Sequence, residues 1–368
     1  MVFNRRSFIK SALGGIAIPT FYPLSSSFAQ SLDEEWKTYQ IKTEINIEGK
    51  EHSIQGWLPL TLTQNTDYFR TLAINYSGNT DKIAIIQTPH NDLRMISVNW
   101  DKNSGVGHFE VITTVATRDR KNTFEKFNPE IKLAKAESNY WTRGTQMLPT
   151  DGIVRQKVKE ILSTIPVSSN DLEKAKAIYN WVVDNTRREA STRGCGVGDV
   201  KYMLETNNMG GKCADINAIF VALARTAKIP SRDVYGIRID NSARGYKSLG
   251  KSDDITKAQH CRAEFFANGY GWIAVDPADV RKVILEEPGN LTINDPKVTS
   301  IRDYLFGNWE MNWMAYNYGH DVNLRGSSLG AIGNIPFLMY PQAESNSGRF
   351  DSLDPANFKY QITSKRLS

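Results

Sequence analysis

The sequence predicts an α+β fold on three observations. Residues 36–120 run as alternating β-type segments separated by turn clusters, residues 150–227 switch to the three-and-four spacing of amphipathic helices, and residues 232–276 return to strand patterns with a hairpin signal. A chain of 368 residues with 40% hydrophobic content can form two domains and a substantial core. The expected division is an export segment (1–29), an antiparallel β-sandwich-like domain (31–135), a helix-and-hairpin core (145–280) and an aromatic-rich C-terminal extension (281–368) that packs on that core.

The export segment rests on Asn4-Arg5-Arg6-Ser7-Phe8-Ile9-Lys10, followed by a mildly apolar run from Ser11 to Leu24 and then Ser27-Phe28-Ala29. This is the pattern of a twin-arginine signal cut after Ala29, and Pro19 and Pro23 interrupt the run in a way that disfavours a membrane anchor. The expected destination is the periplasm, with no stable membrane insertion, because no later stretch of 18 apolar residues occurs. Loss of Arg5, Arg6 and Lys10 leaves 42 basic against 40 acidic residues, a balance that gives no warrant for a nucleic-acid partner.

In the β region, Tyr39 to Ile47 and Phe109 to Val115 alternate strictly, and Glu48-Gly49-Lys50, Ser77-Gly78-Asn79 and Asn103-Ser104-Gly105 supply turns. Short strands at this spacing suggest a small antiparallel sandwich. Thr150 can cap a helix whose face is Ile153, Val154, Val158, Ile161 and Leu162. Asn170 and Glu173 form a capping box for the next, with Leu172, Ala175, Tyr179, Val182 and Thr186 as its stripe. After Cys213, the residues Ile216, Ile219, Phe220, Leu223 and Ala227 define a third helix with one buried face, ended by Pro230. Arg232 to Ile239 reads as a strand, Asp240 to Lys257 as a polar loop that borders a cleft, and Gln259 to Asp276 as a hairpin.

The chemistry centres on Cys213, which follows Gly210-Gly211-Lys212 and opens that third helix. An ordinary thiol has a pKa of about 8.5, and a helix N-terminus beside an imidazolium lowers it enough to populate thiolate at neutral pH. Gly210 and Gly211, lacking Cβ atoms, would let a substrate backbone approach the sulfur. In the hairpin, taking Ala267-Asn268-Gly269 as the loop sets Phe266 opposite Tyr270 and His260 opposite Asp276. A two-residue register error would still leave His260 and Asp276 on one sheet face. Cys213, His260 and Asp276 are therefore the candidate nucleophile, acid/base and orienting residue. The Cys213 amide would supply part of an oxyanion site, and the sequence does not identify a second donor.

Four blocks carry a resemblance: Gly210 to Ala218, Ile229 to Gly236, His260 to Phe265, and Gly271 to Pro277. Together they resemble the transglutaminase-like superfamily over about Leu148 to Val280. The resemblance implies a papain-like α+β core and the family's Cys-His-Asp triad at Cys213, His260 and Asp276. It also implies acyl transfer from a peptide or amide bond through a thioester, ended by water (protease or amidase) or by an amine (cross-linking). Cys261 and Arg262 depart from the family pattern, in which an aromatic is frequent after the histidine, and leave the pocket wall in question. Nothing resembles the calcium loop of the animal enzymes.

The alternative to an enzyme is a non-catalytic module that binds peptides or an envelope partner with the same fold. Three cysteines in an exported chain leave at least one thiol without an internal partner. Strand alternation points Cys261 away from His260 and out of the active site, so Cys195 and Cys261 either pair with each other or stay as two free buried thiols. No cofactor is expected, since His52, His90, His108, His260 and His320 lack metal-ligand spacing. Gly194-x-Gly196-x-Gly198 reads as turn glycines, Asp253-Asp254 as a capping or solvated pair, and Trp309, Trp313, Tyr316 and Tyr318 as core in preference to a substrate groove. The substrate class is a peptide or protein, with cell-wall peptide suggested by compartment alone.

Overall fold

The computed structural model describes residues 35–48, 52–88, 90–102 and 105–368; the expected export signal lies outside them. Six strands come first: β1 (Lys37–Glu48), β2 (Ile54–Leu60), β3 (Phe69–Gly78), β4 (Lys82–Thr88), β5 (Leu93–Trp100) and β6 (Val106–Thr117). In β1, Tyr39, Ile41, Ile45 and Ile47 are buried. Tyr39 and Ile45 sit opposite Val115 and Phe109 of β6, so the period-2 pattern of both strands turns one face inward.

The chain then passes through β7 (Arg120–Lys121), α1 (Lys135–Thr142), α2 (Gly152–Leu162), α3 (Asp171–Asn185), β8 (Arg187–Arg188), α4 (Val200–Glu205) and β9 (Gly210–Gly211) to α5 (Cys213–Thr226). The capping box of α3 is formed, with the Glu173 amide donating to Asn170 Oδ1 at 3.0 Å and the Asn170 amide to Glu173 Oε2 at 2.8 Å. The N-cap of α2 is Asp151 and not Thr150, one residue later than expected. The third helix, α5, differs more. Every residue from Cys213 to Arg225 is buried, not one face alone, because helices pack around α5 on the sides that the sheet does not cover.

The remaining elements are β10 (Ser231–Arg238), β11 (Asp253–Asp254), β12 (Gln259–Ala267), β13 (Gly271–Val275), α6 (Pro277–Glu286), α7 (Pro296–Tyr304), β14 (Asn308–Trp309), β15 (Trp313–Asn317), β16 (His320–Val322), β17 (Ile335–Phe337), β18 (Gln342–Ser345), β19 (Gly348–Arg349), α8 (Pro355–Phe358) and β20 (Tyr360–Arg366). An antiparallel sheet in the order β13-β12-β10-β15 lies against α5. Ala263 and Phe265 of β12 share the core cluster of that helix, while Val234 and Ala274 share the cluster of the sandwich.

The sandwich has the sheet orders β11-β20-β1-β6-β3 and β19-β18-β2-β5-β4. The extension expected to pack on the core thus divides: β15 joins the core sheet, whereas β20 pairs with β1 and β18 with β2. Tyr360, Ile362 and Ser364 alternate inward along β20, which gives a third strand to the face formed by β1 and β6. Residues 35–368 form one compact unit. Trp309, Trp313, Tyr316 and Tyr318 are all buried in the shared interior, so none lines a groove.

The hairpin register is offset by two residues from the expected one. Ala267 faces Gly271, Phe266 faces Trp272 and Ala263 faces Val275. The Tyr270 amide bonds to Ala267 O at 3.0 Å, so the loop is Asn268-Gly269-Tyr270, and Gly269 and Gly271 both take positive φ (85° and 83°). With two glycines able to hold that conformation, turn chemistry did not single out one register.

Candidate active site

Cys213 is the first residue of α5, His260 the second residue of β12, and Asp276 the N-cap of α6. The structure brings the three side chains together. His260 Nε2 lies 2.7 Å from Asp276 Oδ2, which commits that nitrogen and leaves Nδ1 for the Cys213 sulfur. The even-numbered slip of the hairpin preserved this meeting, since it kept both residues on one face. Cys213 is 3% exposed, yet it lines a cleft of about 760 Å³ together with His260.

Asp276 is fully buried and held from several sides. Its Oδ1 accepts from the Asp279 amide at 3.1 Å and from Asn217 Nδ2 at 3.3 Å, while Asn217 Oδ1 accepts from the Ala278 amide at 3.2 Å. Asn217 stands one turn below Cys213 on α5, so the helix that carries the thiol also positions the carboxylate. Trp313 Nε1 donates to the His260 carbonyl at 2.8 Å and fixes the start of β12. The sequence did not reveal Asp279, whose Oδ1 is 3.4 Å from His260 Nε2 and whose two oxygens accept from Arg238 Nη2 at 2.6 and 2.8 Å. A pairing across 41 residues leaves no local pattern to read.

These neighbours set the ionisation. Burial and the Arg238 charge press the His260 pKa down, but Asp279 and Asp276 outweigh them and raise it. Burial would push the Cys213 thiol up; thiol donors from Cys195 and Cys261, the His260 hydrogen bond and the His260 charge instead hold it well below the usual thiol range. Asp276 is raised by burial and by Asp279 beside it, whereas Asp279 is lowered against its burial by Arg238 and His260. The directions for Cys213 and His260 agree with a thiolate–imidazolium pair.

All three cysteines are free and buried, so the disulfide alternative falls away. The expectation that Cys261 stays clear of the site is also corrected. Cys261 does face the helix side of the sheet, but α5 opens where β12 begins, so the Cys213 sulfur meets both the Cys261 thiol and the His260 ring. Cys195 reaches the same sulfur by a different route. Gly194, Gly196 and Gly198 all take positive φ, and the Val197 and Gly198 amides donate to Asp215 Oδ1, each at 2.9 Å. The Cys195 carbonyl accepts from the Ala214 amide at 2.9 Å, and its thiol accepts from the Tyr340 hydroxyl at 3.2 Å. The glycine turn is thus tied to the first turn of α5, with Asp215 as the anchor.

Asp215 also explains Gly211. A Cβ there would lie 2.6 Å from Asp215 Oδ2, and one on Gly210 would lie 2.8 Å from the Arg187 guanidinium. The glycine pair makes room for the protein's own side chains, not for a substrate backbone as expected. Asp215 Oδ2 accepts from the Lys212 amide at 2.9 Å, while the Cys213 amide has no acceptor among the described residues and remains available for an oxyanion. Arg262 is buried beneath the site, with Nε 3.8 Å from Asp276 Oδ2 and its guanidinium over the Trp313 ring, so it is not a pocket wall. His260, Asp276 and Asp279 could in principle share a metal ion, but their facing atoms are already engaged by Arg238 and by one another.

A buried thiol at a helix start, an imidazole on the neighbouring sheet and a carboxylate behind it, within an α+β core, define the class of papain-like thiol folds. The model of the transglutaminase-like superfamily matches residues 160–277, which contain all three side chains. The chain is 33% identical over 351 residues to an uncharacterised protein of Haemophilus influenzae, covering 91% of this chain and 92% of that one. The chain belongs to the transglutaminase-like superfamily. Among solved structures, a protein described as a candidate cysteine protease from Cytophaga hutchinsonii aligns with a TM-score of 0.50 at 13% identity, over 90% of this chain and 98% of that one. The periplasmic domain of TgpA from Pseudomonas aeruginosa aligns with a TM-score of 0.34 at 12% identity, over 66% of this chain and 95% of that one. Among the described residues no helix is long and apolar enough to cross a membrane.

Proposed function

We propose that this protein is an exported, thiol-dependent enzyme that cleaves peptide or amide bonds through a thioester on Cys213. The observation that carries this reading is the His260–Asp276 contact of 2.7 Å at a cleft that Cys213 also lines. The Cys213 thiolate attacks the carbonyl carbon, and the carbonyl electron pair moves to the oxygen, where the Cys213 amide donates. His260 gives its proton to the departing amine as the C–N bond breaks, leaving the thioester and a neutral imidazole. It then takes a proton from water or an incoming amine, which attacks the thioester and releases the sulfur as thiolate. Asp276 holds the ring and supports its charge in both protonated stages.

A binding module has no need of a lowered thiol pKa or of two carboxylates behind one imidazole. The arginine pair near the N-terminus supports export to the periplasm, a compartment in which envelope or cell-wall peptides are the candidate substrates.

The test is mass spectrometry of a peptide library and cell-wall fragments incubated with the enzyme, with and without a primary amine. The expected products are new carboxylic acids, or amides of the added amine, formed by the native protein and not by Cys213→Ala. If the two proteins leave the same products, the proposal fails.

A further inference from the structure

The cleft around Cys213 is strongly cationic although the chain as a whole is close to neutral. Arg188, Lys212, Arg238, Lys251, Lys257 and Lys282 all line it, and Asp254 is the one acidic residue besides them in its lining. Some of that charge is met from behind the wall. Arg238 is paired with Asp279, and Arg188 and Lys282 share Glu286 at 2.8 and 3.6 Å. Six cations therefore face three carboxylates, and Lys212, Lys251 and Lys257 have no ion pair among the described residues. Asp254, whose Oδ1 accepts from the amide and hydroxyl of Thr256 at 3.0 and 2.6 Å, is held low by those bonds and in part by the Lys251 charge; it offsets one of these cations, which leaves the cleft with an excess of positive charge.

The positions matter as much as the count. Lys212 immediately precedes the thiol, and Lys251 and Lys257 come from the loop that leads to His260, so the cations and the bond-breaking centre share one cleft. Ammonium groups without ion pairs that line one cleft repel, and its concave wall concentrates their field. An anionic occupant relieves that repulsion.

We infer that the cleft selects acidic peptides, binding carboxylates beside the amide that Cys213 attacks. This rests on the enzymatic reading above and names its substrate class. Carboxylate side chains meet Lys212, Lys251 and Lys257, and peptides with neutral or basic flanks lose that steering.

Alkylation separates the two ideas without a known substrate. Cys213 is mapped by mass spectrometry after reaction with iodoacetate, an anion, and with iodoacetamide, its neutral analogue. The ratio of the two rates, compared with that of glutathione, is expected to be raised at least about tenfold at low ionic strength and to fall toward the glutathione value in about 1 M salt. Lys251→Gln with Lys257→Gln is expected to lower the ratio at least threefold, about the effect of removing two flanking charges. Matched peptide pools, one with Glu and the other with Gln around each candidate bond, are expected to show the same order in kcat/KM. A ratio at or below that of glutathione, or one unchanged in the double variant, overturns the acidic-substrate inference while the thiol chemistry stands. A Cys213 inert to both reagents defeats the enzymatic reading itself.

Discussion

Cys213→Ala is expected to fold normally and to lose amide turnover by at least about 10⁴-fold, the scale seen when a covalent nucleophile is removed. Cys213 packs in the core cluster at the start of α5, so truncation to alanine removes only a sulfur atom from a site that already borders a cleft. The cost in stability should be no more than about 2 kcal/mol. His260 keeps Asp276 and Asp279, the carboxylates that raise its pKa, so the imidazole stays held in place without the thiolate. Turnover assayed beside circular dichroism distinguishes loss of chemistry from loss of fold. Residual turnover within tenfold of the native protein would assign the chemistry elsewhere.

The second large effect lies outside the active site. Glu264 on β12 is 1% exposed and accepts from two guanidiniums: Arg120 Nη1 at 2.5 Å and Arg232 Nε at 2.6 Å. Arg120 packs against the Tyr68 and Trp309 rings and Arg232 over Trp272 and Tyr318, and with side chains 5% and 13% exposed both cations are largely shielded from water. Burial raises the Glu264 pKa, but the two arginines outweigh it, and the carboxyl is held below its ordinary range. Because Arg120 belongs to β7, which pairs with β14, and Glu264 to the core sheet, this group also ties that short ribbon to the core. Glu264→Ala would leave two buried charges unpaired, at a cost of about 3–5 kcal/mol. The thermal midpoint should fall by on the order of 4–7 °C. A fall of less than about 2 °C would mean that the guanidiniums find other partners.

Much of the core was legible because its signals are local. The Asn170–Glu173 capping box, the helix beginning at Cys213 and the period-2 pattern of β1 and β6 each depend on residues within a few positions. The meeting of His260 and Asp276 was also legible, although the loop was not. Strand alternation survives an even slip, whereas the choice between Gly269 and Gly271 depends on how the turn packs.

What escaped depends on distant partners. Arg238 and Asp279 lie on different elements, and the placement of Cys195 depends on the Val197 and Gly198 amides finding Asp215. Those bonds turn a run of glycines into a support for a thiol donor. The strand β20 carried a readable alternation at Tyr360, Ile362 and Ser364, but its partner β1 lies at the opposite end of the chain. Gly210 and Gly211 show the converse error: their small size was read as room for a substrate, and the space is taken by Arg187 and Asp215.

The most direct test of the account is the rate of Cys213 alkylation by iodoacetamide as a function of pH, followed at that residue by peptide mapping. A thiol held low with His260 beside it gives a rate that is nearly flat from about pH 6 to pH 9, and His260→Ala moves its inflection upward by removing the imidazole. A rate that climbs steadily through about pH 8.5, unchanged by His260→Ala, would mark Cys213 as an ordinary buried thiol and contradict the account.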